Sequence, residues 1–119
     1  MKRRISSEEG LEALRVYVRG GEVSKQTLAT AVRFALEEFA ERHPGHAVEI
    51  RVPWIGAVQA IEGVNHRRGT PPNVVEMAGQ TWLDLVLGRE VDEFAISHSG
   101  NRADLSPYMP LFGPAQLGI

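Results

Sequence analysis

The chain of 119 residues contains no cysteine. That rules out a disulfide framework, thiolate metal ligands and a cysteine nucleophile, and fits a cytoplasmic protein. Long apolar runs are missing as well. No stretch approaches the roughly 18 apolar residues that cross a bilayer, so no integral membrane segment is expected. The opening Met1-Lys2-Arg3-Arg4 is basic enough to begin a signal peptide, but no apolar segment follows it. There is no excess of one charge either. A formal net charge of -2 argues against the broad basic face of a general nucleic-acid binder. Gly-x-Ser-x-Gly, Gly-x-Gly-x-x-Gly and P-loop patterns are all absent, which removes the signatures of an esterase elbow, a dinucleotide site and a nucleotide triphosphatase. His43, His46, His66 and His98 do not pair on one helical face with an acid, so a zinc motif is absent too.

What is present is one domain's worth of chain, large enough for a single core. Ser6 and Glu9 have capping-box spacing, and Leu11, Leu14 and Val18 recur at helical spacing before Gly20-Gly21. A second helix is predicted from Ser24, because Leu28, Val32, Ala35, Leu36 and Phe39 form one apolar stripe that ends at Pro44-Gly45. The period then changes. Val48, Ile50 and Val52 alternate with Glu49 and Arg51, as in a strand with one buried face. Pro53 interrupts it, and Gly56 opens a second extended run through Ile61. Asn73 to Met77 is a third candidate strand, and Gln80 to Leu87 a third helix. Arg89 to Ile96 fits helix or strand equally. Gly100-Asn101 reads as a turn before a last candidate strand, Arg102 to Leu105. Helices first and strands after them indicate an α+β domain with a largely antiparallel sheet. The domain is expected over 1–112, with 113–119 as an irregular tail.

The chemistry-bearing residues mostly read as structural. His43 and His46 flank the break after the second helix and fit a solvated loop. Arg67 and Arg68, beside Gly69, would suit a carboxylate or phosphate headgroup; ion pairs with Glu62, Glu76 or Asp104 are the plainer reading. Arg102 and Asp104 would share one face of their strand. Trp82 with Val86, and Leu83 with Leu87, lie four apart on one apolar surface, the mark of a core helix or of a cavity wall.

One stretch is distinctive: His66-Arg67-Arg68-Gly69-Thr70-Pro71-Pro72-Asn73-Val74-Val75-Glu76, followed by Thr81-Trp82-Leu83 and, later, Ala103-Asp104-Leu105-Ser106. Together with Val48 to Pro53 and Gly56 to Gln59, it resembles the actinobacterial sterol carrier family, bacterial relatives of sterol carrier protein 2. The resemblance implies a sheet of about five strands with helices packed on one face, enclosing an apolar cavity. It also implies non-enzymatic binding and transfer of a fatty acid, an acyl-CoA or a sterol-like molecule, without metal or organic cofactor. Between Gly88 and Ala103 the chain is shorter than that fold leads one to expect, so the lid helix should be trimmed and the cavity more open, smaller or absent. On this reading Val58, Ile61, Trp82, Leu83, Val86, Phe94 and Leu105 form the apolar wall, and His66, Arg67 and Arg68 the polar mouth. Burial of a lipid chain contributes roughly 0.8 kcal/mol per methylene, so micromolar binding needs no strong polar contact. The alternative is an interaction or dimerisation domain without a working cavity, using the Pro-rich tail from Pro107 with Tyr108, Met109, Leu111 and Phe112. A small hydrolase or isomerase using His66 with Glu76 ranks third. A homodimer and a transient membrane contact are compatible with the first reading.

Overall fold

The computed structural model describes residues 3–63, 73–100 and 103–119. Two helices open the chain. In α1, Ser7–Arg19, the Ser6 hydroxyl accepts the Glu9 amide at 3.2 Å; in α2, Lys25–Arg42, the Ser24 hydroxyl accepts the Thr27 amide at 3.1 Å. Each cap satisfies one of the amides that a helix start leaves open. The two helices cross closely at Gly10, where a Cβ would fall 2.1 Å from the Phe34 ring.

The strands β1 (Val48–Val52), β2 (Gly56–Ala60), β3 (Asn73–Met77) and β4 (Ile96–Gly100) form a sheet in the order β2-β1-β3-β4. The β1–β2 and β3–β4 pairs are antiparallel, and the β1–β3 pair is parallel. α3, Gly79–Val86, follows β3 at once. The α+β class stands, with four strands among the described residues in place of about five, and one central pair parallel. The missing strand is the one expected over Arg102 to Leu105. Residues 103–105 are irregular because Asp104 turns the chain, its carboxylate accepting the Ser106 amide at 3.0 Å and the Ser106 hydroxyl at 2.7 Å. The segment after Gly88 resolves its own ambiguity by dividing. Glu93–Ala95 makes one 3-10 turn and Ile96 begins β4, so the strand is kept and the helix shrinks to a single turn.

The core face of the sheet carries Val48, Ile50, Val52, Val75 and Met77, all buried against the helical layer. Phe39 packs edge-on against Trp82 at 5.9 Å and against Tyr108 at 5.7 Å. His43 is not a plainly solvated loop residue. It closes α2 and sits 4.7 Å from the Tyr108 ring. The tail is not an exposed contact surface either. Leu111, Phe112 and Leu117 are buried, and 114–117 form the short helix α4 in place of an irregular end. The Leu111 and Phe112 amides both donate to the Val86 carbonyl. Arg42 and Arg15 donate to the Leu111 and Leu117 carbonyls, each at 2.7 Å. The apolar side chains of the tail complete the core, because without them Phe34 would lose its stacked partner Phe112 at 5.6 Å.

Candidate functional site

Across the core face runs one row of paired residues, Val58–Ile50–Val75–His98, one from each strand. Its middle members are buried and its ends half-buried. The filled core therefore gives way at both edges of the sheet, and a cleft opens at each.

The larger cleft, about 520 Å³, lies along β4. Val75, Leu85, Val91, Ile96, Ala103 and Leu105 give it an apolar floor and sides. Glu93, His98, Asp104 and Ser106 supply polar groups. The volume falls within the roughly 300–1,000 Å³ typical of small-molecule sites, and so does the mixture of an apolar lining with a few polar groups. Local sequence explains the placement. Ile96 and His98 are two apart on β4 and share the core face, while the Asp104–Ser106 turn brings 103–106 back over it. The His98 Nδ1 atom is buried with no hydrogen-bond partner, so a polar atom remains unsatisfied in the lining. Among the described residues the lining holds two carboxylates and no lysine or arginine.

A smaller cleft of about 450 Å³ lies at the β2 edge and is lined by Leu36, Val58 and Ile55 with Arg4, Arg33 and Glu37. Glu37 is buried there and accepts the Arg4 and Ile5 amides at 3.1 Å, so it is committed to holding the N-terminal segment.

The residues predicted from sequence do not assemble into one wall. Leu105 borders the β4 cleft. Val58 borders the cleft at the opposite edge, with two strands between. Trp82, Leu83 and Val86 are fully enclosed at 0% exposure, with their side chains turned into the core. Ile61 is half-buried just past β2, where its amide donates to the His43 carbonyl at 2.6 Å. Phe94 is 99% exposed and lies outside any enclosed wall, because the 3-10 turn points it to solvent. His66, Arg67 and Arg68 lie outside the described residues. Glu76 pairs with Arg51 and Ser97 on the solvent face of the sheet, away from both clefts. Glu93, His98, Asp104 and Ser106 are the polar lining residues that sequence reasoning did not assign to the site. The Ala103-Asp104-Leu105-Ser106 block was visible as a signature, and His98 stands two residues from Ile96, the spacing that places both on one strand face.

Two contacts fix the frame of the cleft. The Tyr17 hydroxyl donates to the Asp84 carboxylate at 2.9 Å and so ties α1 to α3, with Arg89 3.3 Å from the same carboxylate. Partial burial, helped by the bond to Asp84 and its charge, pushes the Tyr17 phenol up to about 12. At the far end of α3, Gly88 takes φ +77° and packs on Pro110, where a Cβ would meet the proline ring at 3.0 Å.

Among the described residues, a four-stranded mixed sheet under a helical layer, with a partly apolar cleft along one edge strand, makes a small α+β domain. Residues 24–111 match the family model described as bacterial SCP ortholog. The chain belongs to this bacterial family of sterol carrier protein relatives. Among curated proteins, none matches it in sequence.

Proposed function

We propose that the protein binds a lipid or another hydrophobic ligand non-covalently in the β4 cleft and acts as a carrier without catalysing a reaction. The observation that carries this reading is the cleft itself: about 520 Å³, apolar along Val75, Leu85, Ile96 and Leu105, and polar at His98, Asp104 and Ser106. Membership of a sterol carrier family supports it. The apolar part suits an alkyl or ring system, where each buried methylene contributes about 0.8 kcal/mol. The polar part suits a hydroxyl or carbonyl group. Ser106 donates to Asp104 and keeps acceptor capacity of its own, and His98 holds a free ring nitrogen. Glu93 and Asp104 put negative charge beside that position, which disfavours the phosphates of an acyl-CoA. A neutral, hydroxylated, sterol-like ligand is therefore favoured over a fatty acid, and a fatty acid over acyl-CoA.

Titration of a fluorescent sterol, a fluorescent fatty acid and an acyl-CoA into the purified protein tests this reading. Saturable binding, tightest for the neutral ligand, is the expected result. Flat titrations for all three would sink the carrier reading, and tightest binding of acyl-CoA would sink the ranking.

A further inference from the structure

Among the described residues, two large apolar side chains stand wholly in solvent. Trp54 is 101% exposed and Phe94 is 99% exposed. They are forty residues apart in sequence, yet the sheet brings them to one end. Ala57, Arg51, Glu76 and Ser97 pair in register across all four strands. Trp54 lies three residues beyond Arg51, and Phe94 three residues before Ser97. With strands spaced about 4.8 Å apart, β1 and β4 are separated by roughly 10 Å, so Trp54 and Phe94 lie at the same end of the sheet.

Trp54 is also held there against its backbone preference. The Ile55 amide donates to the Val52 carbonyl at 3.1 Å, closing a turn with Pro53 at its second position and Trp54 at its third. Trp54 has φ +71°. This is the form of a type II turn, whose third position ordinarily takes glycine. The Arg33 guanidinium donates to the Ile55 carbonyl at 3.2 Å and braces the tip. A bulky indole at a glycine position, rigidly presented and touching nothing, is not explained by folding.

We propose that this end of the sheet docks on a neutral lipid bilayer, with Trp54 and Phe94 inserting at the interface, so that the β4 cleft exchanges its ligand directly with the membrane. The inference rests on the lipid-carrier reading. The cleft opens beside the anchor, since Glu93 and Ile96 both border it and flank Phe94 in sequence. A bilayer fits better than a protein partner. Trp54 and Phe94 come from separate segments, and exposed Asp92 and Glu93 stand beside Phe94, whereas a stable protein interface needs a contiguous apolar centre. Indole and phenyl rings insert singly at the headgroup level, where polar neighbours stay hydrated. Charge decides which bilayer. Asp92 and Glu93 flank Phe94 and the chain carries net -2, so anionic lipid adds no attraction.

The test uses the whole protein with phosphatidylcholine vesicles, read by co-sedimentation and by tryptophan emission. Trp82 is fully buried and gives a constant background. The wild type should sediment with vesicles, and its emission should move to shorter wavelength. Trp54→Gly suits the turn, so its Tm should stay within a few degrees of wild type or rise. Vesicle binding should fall on the order of tenfold, with the emission shift abolished. Phe94→Ala should weaken binding several-fold, and added phosphatidylserine should not strengthen it. Absence of vesicle binding by the wild type, or equal binding by Trp54→Gly, overturns the proposal. So does protection of Trp54 by a second copy of the chain or by a protein partner without vesicles. Ligand titration of Trp54→Gly in solution separates the two readings. Intact ligand binding with lost vesicle binding supports docking, and vesicle binding without any ligand titration overturns only the carrier reading.

Discussion

Ile50 and Ile96 lie on the same face of the same sheet, yet one has no solvent exposure and the other is half-exposed. Ile50 is in β1, flanked by strands on both sides and covered by the helical layer. Ile96 is in β4, the edge strand, where it shares the cleft with Leu85 of α3, Val91, Glu93 and the 103–106 turn. One sheet is thus a filled core at its centre and borders an open cleft at its edge without any change in residue type. Helix α2 and the buried tail fill the first region. The second stays open where the single 3-10 turn Glu93–Ala95 leads into β4.

The largest expected effects belong to the filled region. Trp82→Ala should cost about 3–5 kcal/mol and Ile50→Ala about 2–5 kcal/mol in urea unfolding, because each leaves a cavity in a closely packed site. Ile96→Ala should cost only about 1 kcal/mol, since part of that side chain already meets water. Equal losses at Ile50 and Ile96 would erase the contrast.

Tyr17→Phe tests the frame between the regions. Loss of its bond to Asp84 should cost about 0.5–1 kcal/mol, at the low end because the hydroxyl is partly solvated. The sign of its pH dependence follows from the direction of the shift. The folded phenol titrates near 12, above the unfolded value of about 10. Its contribution is therefore complete below pH about 10 and fades as pH rises toward 12. Stability of the wild type should fall through that window more steeply than that of Tyr17→Phe.

Much of the fold was legible in the sequence. The capped helices, the alternating Val48, Ile50 and Val52 and the Gly56 restart all carry local signals that tertiary packing reinforces. β4 was not legible as a strand, because Ile-Ser-His-Ser-Gly is half-exposed and shows little hydrophobic contrast. The parallel β1–β3 pairing leaves no local trace at all. At the site, Trp82, Leu83 and Val86 carried a real apolar stripe, but apolar periodicity marks a buried face equally well whether it fills a core or lines a cavity. Val58 and Leu105 both read as wall residues, and only the strand order shows that they belong to opposite edges. The useful signal lay in the Ala103-Asp104-Leu105-Ser106 block, where polar and apolar residues alternate over the cleft.

The proposed ligand enters the β4 cleft and not the packed interior beneath Trp82. Ala103 is half-buried and lines that cleft, so Ala103→Trp places an indole in the space a ligand would use. Fluorescent sterol titration of this variant, with folding checked by circular dichroism, is the most direct measurement. Affinity should fall on the order of tenfold or more while the fold is kept. A folded Ala103→Trp protein that binds as tightly as the wild type would contradict the account.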